Sequence, residues 1–277
     1  MPKQIKLLYF DRHSNMGDAL NINLCKSVFG FTSVQSWTDN CEAVFIGSIL
    51  QFFLMPNETV NEYRKSIPSD KLSTIHVWGS GFISPPEDGL DFIRPVYIHA
   101  LRGVKTKEKC EYILKKKLDE VVLCDPGLLA SELVPSGIVK KYDFGIVPHY
   151  VDKKNEVFES ITIPNSTVID IQSDVVECIT KIAQCKTIIS SSLHGLIVAD
   201  SFGIPNIRMI CSDRIRGGDY KFDDYYSAFG ISEHNKIDIR GMDVNSIEIQ
   251  SIINEYKITP ELVVQKKKEL IESFPFK

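Results

Sequence analysis

The chain has 277 residues, 43% of them hydrophobic and 25% charged, which is enough for one large domain or two ordinary ones, each with its own core. A formal net charge of −4 sets up no positive field for a nucleic acid, and no run of about eighteen apolar residues offers a membrane span. The seven cysteines (Cys25, Cys41, Cys110, Cys124, Cys178, Cys185, Cys211) form no C-x-x-C pair. They exclude a disulfide framework or a zinc cluster and read as reduced, buried thiols of a cytoplasmic protein.

From the N-terminus, short β-branched or aliphatic runs alternate with segments of helical period. Strands are predicted at Ile5–Phe10, Ala43–Ile46, Thr74–Trp78, Val96–Ala100 and Val121–Cys124, with helices near Ala19–Phe29, Thr59–Ser66 and Lys105–Lys117. The strands end in polar or glycine-rich turns: D-R-H-S-N-M-G-D, G-S, W-G-S-G and L-R-G. Continuous apolar strands of this kind suit a parallel sheet covered on both faces.

A second series follows the proline-bearing stretch Val134–Tyr142. Its strands are predicted at Phe144–Val147, Thr167–Ile171, Thr187–Ser190 and Asn206–Ile210, and its helices near Val175–Gln184, Leu196–Phe202 and Asp223–Phe229. Two α/β units are expected, over 1–138 and 139–258. The tail adds Ser246–Tyr256 and, after the cap Thr259 and Pro260, a helix over Glu261–Ser273. This 259–277 segment is expected to pack back on the first unit, with Lys266, Lys267 and Lys268 on a solvated face.

Ligands of open parallel sheets gather at the carboxyl ends of strands, so polar residues there carry the chemistry. In S-N-M-G-D-A-L-N, Gly17 permits close backbone approach, and Asn15, Asp18 and Asn21 either form a polar ligand site or leave Asp18 as an N-cap alone. W-G-S-G places Ser80 between glycines, where backbone N–H groups could meet an anion or a sugar hydroxyl. Arg102 ends an apolar strand, and its guanidinium suits a phosphate or carboxylate ligand or a structural carboxylate, whereas His99 reads as structural. His149 falls just past a strand, after Pro148.

In S-S-S-L-H-G, His194 stands at a strand-to-helix junction beside Ser190, Ser191 and Ser192. The helix N-terminus disfavours imidazolium, so a neutral His194 would give one N–H to an anionic oxygen and take a proton on its other nitrogen. Acting as an acid would need an anion to offset the helix dipole. No G-x-S-x-G elbow supports a serine nucleophile. The loop S-D-R-I-R-G-G-D-Y-K brings Arg214, Arg216 and Lys221 beside two glycines, either as a balanced surface loop or as a flap over a phosphate.

Taken together and in order, N-M-G-D-A-L-N, W-G-S-G, A-L-R-G-V-K-T, D-P-G-L-L, G-I-V-P-H-Y and S-S-S-L-H-G-L-I-V-A-D-S-F-G-I-P resemble the polysaccharide pyruvyl transferase family. The resemblance implies two Rossmann-like α/β/α domains facing a cleft, as in GT-B glycosyltransferases. It implies transfer of a pyruvyl group from phosphoenolpyruvate to two hydroxyls of a sugar, forming a ketal for capsular or exopolysaccharide synthesis and releasing phosphate. Phosphoenolpyruvate is then a co-substrate, and neither cofactor nor metal is expected. The implied location is the cytoplasm, with peripheral association at the inner membrane face left open for a lipid-linked acceptor.

The family's L-H motif falls on Leu193–His194, making His194 the first candidate proton shuttle and His149 the second. Ser191, Ser192, Leu193, Arg102 and the helix N-terminus would receive the donor, while Asp18 and Asn21 would orient or activate the acceptor. Many members carry arginine before L-H, where this chain has Ser192, so a second cation is expected from Arg214, Arg216 or Lys221. A nucleotide-sugar glycosyltransferase and a non-catalytic sugar-phosphate binding protein are the other readings left open.

Overall fold

The computed structural model describes residues 3–10, 15–68 and 72–276. Residues 1–2, 11–14, 69–71 and 277 lie outside them, including the D-R-H-S part of the first turn. The first unit runs β1 (Gln4–Leu7), α1 (Met16–Ser27), β2 (Thr32–Gln35), β3 (Ala43–Val44), β4 (Leu54–Pro56), α2 (Asn57–Ser66), β5 (Ile75–Trp78), β6 (Leu90–Phe92), β7 (Val96–Leu101), α3 (Val104–Leu114) and β8 (Val122–Leu123). Six strands form a parallel sheet in the order β2-β1-β3-β5-β7-β8, and β4 and β6 pair separately as an antiparallel ribbon. Strand β2 went unpredicted because T-S-V-Q is polar and half exposed at the sheet edge, where burial does not impose an apolar pattern.

The second unit runs β9 (Tyr142–Val147), β10 (Ser166–Val168), α4 (Val175–Ala183), β11 (Cys185–Ser190), α5 (Leu193–Ser201), β12 (Asn206–Ile210), α6 (Tyr220–Ser227) and β13 (Lys236–Asp238). Its parallel sheet has the order β10-β9-β11-β12-β13. Helices α7 (Ile249–Glu255) and α8 (Pro260–Glu272) complete the chain. The architecture is thus two parallel α/β units that face each other across a cleft.

Helix α5 is apolar all round and almost wholly buried, as a helix enclosed by neighbours must be. Its one buried carboxylate, Asp200, accepts hydrogen bonds from Asn206 (2.6 Å), Tyr225 (2.8 Å) and Tyr256 (2.8 Å). The apolar core around it is continuous with that of the first unit, from Leu7 and Leu20 to Ile188 and Leu196. All seven cysteines are free and buried.

Polar contacts fasten the units more specifically. Gly103, at the N-cap of α3, has no side chain to satisfy the helix's free N–H groups, and α6 supplies the acceptors instead. Val104 N donates to Ser227 Oγ (2.8 Å), and Thr106 N donates to Asp224 Oδ1 (2.8 Å). A Cβ on Gly103 would lie 1.6 Å from the Asp224 carbonyl oxygen, so glycine is required for this approach. Asp224 Oδ2 also accepts from Thr106 Oγ1 (2.7 Å) and from Arg102 Nε (2.8 Å), an ion pair that excludes solvent on both sides.

Helix α8 returns to the first sheet, where Trp78 Nε1 donates to Leu270 O and Ser273 Oγ, each at 3.1 Å. Phe274 stacks on Phe29 with centroids 3.7 Å apart. Lys267 is not on a solvated face, because it donates to Ser201 O (2.9 Å) and to the Ser131 hydroxyl. Lys268 does face solvent. Among the described residues no helix is long and apolar enough to cross a membrane, and no group of three His, Cys, Asp or Glu side chains is placed to hold a metal ion.

Removing one partner of a buried ion pair strands the other, at a cost of about 3–5 kcal/mol. Asp224→Ala is therefore expected to lower unfolding stability by about that amount, read by urea denaturation, whereas loss of the exposed Lys268–Glu272 contact should change it by less than about 1 kcal/mol.

Candidate active site

A cavity of about 240 Å³ lies between the carboxyl ends of the two sheets. Its lining includes Asn15 and Asp18 from α1, Ser48 and Arg102 from loops of the first unit, His149 after β9, Ser192, Leu193 and His194 at the start of α5, and Arg214, Arg216 and Lys221 around α6. Ten of the fourteen residues singled out in the sequence thus line one space, while Gly17, Asn21, Ser80 and Ser191 stand behind it or in its frame, as detailed below.

Helix α1 begins three residues before its predicted start, and its N-cap is Asn15, whose Oδ1 accepts from Gly17 N at 2.9 Å. Asp18 is therefore not the cap. It sits in the first turn, held by the Asn15 amide, with its carboxyl group in the cavity wall. Burial raises Asp18 to about 7, with Lys221 across the cleft opposing the shift. Gly17 leaves space for the His194 ring, since a Cβ there would lie 1.9 Å from Nδ1.

Two predicted ligand residues serve the frame. Asn21 is buried and accepts from Ile46 N (3.1 Å) while donating to Asp18 O (3.0 Å), so it ties α1 to the loop after β3 and does not line the cavity. Ser80 is buried and donates to Gly47 O (2.8 Å), joining two loops beneath the site. The reason is the same for both: unpaired backbone groups at strand ends must find partners, and the nearest polar side chains supply them.

The serine run builds the turn in the same way. Ser190 Oγ accepts from Ser192 N (3.0 Å) and lies 2.9 Å from Val147 O, and a Cβ on Gly195 would stand 2.3 Å from that oxygen. Ser191 Oγ accepts from His149 N (2.8 Å), which positions the histidine loop from behind instead of contacting the cavity. Ser192 is the N-cap of α5 by position, yet its hydroxyl makes no cap bond and lines the cavity. The helix starts at Leu193, so His194 belongs to its first turn and not to the preceding loop.

Arg102 reaches the cavity wall, but the structural carboxylate is present as well. Its Nε is bound to Asp224, Nη1 donates to Ser48 Oγ (2.8 Å) and Nη2 to Phe82 O (2.5 Å). Gly81 makes room for the guanidinium, since a Cβ would be 2.4 Å from Cζ. Lys221 differs. It lies on α6 and not on the loop, is nearly buried, and has no hydrogen bond or ion pair to a described residue. Burial, then Arg102 and Arg208, bring it down to about 8, with Asp18 opposing.

Arg214 is 60% exposed and 3.5 Å from Asp152, and Arg216 is exposed at the rim. Their loop crosses the cleft, because Gly217 (φ +85°) lies so close to Ile83 of the first unit that a Cβ would come within 2.7 Å of it.

Both histidines are held uncharged. Burial, with Lys221 adding, lowers His149 to about 3, and its Nδ1 accepts from Val151 N at 3.3 Å. Burial, then Lys221, Arg102 and His149, lower His194 to about 3. The His194 side chain keeps 13% exposure, while its buried Nε2 has no hydrogen-bond partner among the described residues. Asp125 Oδ2, also buried and unpartnered, stands 3.9 Å from that nitrogen. Asp125 was overlooked in the sequence, although D-P-G directly after a strand marks a carboxylate at a strand tip. Phe52, Ile49, Ile83 and Tyr150 were missed too, and they form an apolar wall at the mouth.

The sequence pattern of the family described as polysaccharide pyruvyl transferase matches residues 3–213. The uncharacterized protein L143 of Acanthamoeba polyphaga mimivirus is 28% identical over 97% of this chain and 90% of its own length. The succinoglycan biosynthesis protein ExoV of Rhizobium meliloti (strain 1021) is 27% identical over 80% of this chain, which spans 63% of ExoV. Among solved structures, the spinosyn rhamnosyltransferase SpnG aligns over 98% of this chain and 96% of its own, with 10% identity and a TM-score of 0.41. With about three quarters of its length matched, the chain belongs to the polysaccharide pyruvyl transferase family.

Proposed function

We propose that the cavity binds phosphoenolpyruvate and transfers its pyruvyl group to two hydroxyls of a sugar, forming a ketal in polysaccharide biosynthesis. The observation that carries this reading is Lys221, a nearly buried ammonium with no hydrogen bond or ion pair to a described residue, lining the same small cavity as the N-terminus of α5. A cation and free helix N–H groups converging on one space favour a compact anion. A volume of about 240 Å³ lies at the small end of ligand cavities and suits a three-carbon phosphate.

In this reading Lys221 supplies the charge that an arginine at position 192 would otherwise bring. The Ser192 hydroxyl and the free N–H groups of α5 add donors, and Arg214 and Arg216 guard the rim. The exposed ring of Phe52 and its apolar neighbours offer a surface for the sugar's C–H face. The reaction needs protons moved without net gain. One sugar hydroxyl adds to the enol carbon as the methylene becomes methyl; the second hydroxyl then adds to the same carbon as phosphate leaves. Of the two hydroxyl protons, one ends on the methyl group and the other on the phosphate. A neutral imidazole at His194 suits the first exchange, and Asp18, near 7, suits deprotonation of an acceptor hydroxyl.

The direct test is mass spectrometry of a panel of free, nucleotide-linked and lipid-linked sugars, galactosides included, incubated with phosphoenolpyruvate. A pyruvyl-sized increment that requires phosphoenolpyruvate is expected, and its absence across the panel, with an increment from nucleotide sugars instead, would sink the reading.

Lys221 also makes the donor affinity depend on pH. Its ammonium is present below about 8 and is lost above, so the KM for phosphoenolpyruvate is expected to rise as pH passes that value. Lys221→Arg keeps its charge and should flatten the rise, whereas Lys221→Met should raise KM at every pH. A KM that is flat through pH 9 in the unmodified protein would count against the role.

A further inference from the structure

Asp125 and His194 come from opposite units. Asp125 follows β8 and caps the turn Pro126–Leu133 by accepting from Gly127 N through Oδ1 (2.8 Å). That bond directs its second oxygen at α5, where it meets the Nε2 edge of His194 at 3.9 Å. Each of these two atoms is buried and has no hydrogen-bond partner among the described residues. Orphaned polar atoms of this kind are rare in folded chains, and two that face each other satisfy both when about 1 Å of approach brings them within hydrogen-bond range.

We propose that Asp125 is a positioning residue for His194, accepting the Nε2 proton of its ring and leaving Nδ1 as the nitrogen that exchanges protons in the cavity. The inference rests on the pyruvyl-transfer reading for what His194 does, but the geometry of the pair stands apart from it. A Cβ on Gly17 would stand 1.9 Å from Nδ1 and one on Gly127 3.6 Å from Cδ2, so both glycines leave space that the ring occupies. With Nε2–H donating to Asp125, the free electron pair is on Nδ1, the nitrogen on the Gly17 side of a ring that lines the cavity.

The surroundings explain why a carboxylate is needed there. Lys221, Arg102, His149 and the N-terminus of α5 all oppose a positive charge on His194. Asp224, the other carboxylate near Asp125, is already neutralised by Arg102. Asp125 is thus the group that can stabilise an imidazolium during transfer. Nδ1 takes the proton of a sugar hydroxyl and passes it to the methylene carbon of the donor, while the Nε2 proton stays on the ring and Asp125 stays ionised. Burial raises Asp125 to about 7, so this support is full above neutral pH and fades as the carboxylate protonates below it.

Asp125→Asn tests the assignment. The asparagine oxygen is retained by Gly127 N, so its NH2 group faces Nε2 and forces the ring into the Nδ1–H tautomer. Nitrogen-15 NMR of the full chain without ligand is expected to show His194 protonated on Nε2 in the native protein and on Nδ1 in the variant. With phosphoenolpyruvate and methyl β-galactoside as probe acceptor, kcat for phosphate release should fall about a hundredfold or more while the KM for phosphoenolpyruvate is unchanged. An Nδ1–H tautomer in the native protein, or a variant with native kcat, overturns the proposal. If the variant does not fold, or the probe acceptor is not turned over, the tautomer of the native protein decides alone, independently of the reaction assigned to the site.

Discussion

The pairing of Arg102 with Asp224 brings a guanidinium from the tip of a strand in one unit against a carboxylate on a helix of the other, with solvent excluded from both. Much else is measured from that point. Asp224 also holds the first turn of α3, and Lys221 lies three residues earlier on the same face of α6. The ammonium that faces the cavity is therefore located relative to the first unit, not only to its own. The cost of burying the pair is offset by the further hydrogen bonds that each partner makes, to Thr106 on one side and to Ser48 and Phe82 O on the other.

Around this frame the cavity keeps cations and proton carriers close but distinct. Its lining carries the cations Arg102, Lys221, Arg214 and Arg216, the uncharged imidazoles of His149 and His194, and the carboxyl group of Asp18. Burial acts on them in opposite senses, moving the carboxyl up and the imidazoles and ammonium down, because in each case it disfavours the charged form. At neutral pH the two imidazoles are therefore uncharged, while Asp18, near 7, and Lys221, near 8, are poised to exchange protons.

Much of this was legible from residue order. Short apolar runs ending in glycine or polar turns were enough to place Asp18, Arg102, His149 and His194 at strand tips or helix starts, since burial dictates the runs and geometry dictates the turns. The partner of Arg102 was not legible, because Asp224 is remote in sequence and nothing local marks it. Asn21 and Ser80 misled for a related reason: a polar side chain that satisfies a loop's backbone has the same local sequence as one that meets a ligand. Lys221 was read as a loop residue because α6 starts at Tyr220 after a cap, Asp219, that makes no side-chain cap bond. The early start of α5 was hidden by Gly195, which breaks the helical pattern in order to clear Ser190.

The supply of α3's caps by α6 also bears on how the chain comes off the ribosome. When the first sheet and α3 have been made, their sequence is complete, but Val104 N, Thr106 N and Arg102 still lack the partners they have in the finished protein. Those partners are not synthesised until residues 224 and 227, and Trp78 waits longer still, for Leu270 and Ser273. The N-terminal unit thus emerges with an open helix end and an unneutralised guanidinium, and it reaches its final form only when the last strand-helix units have joined it.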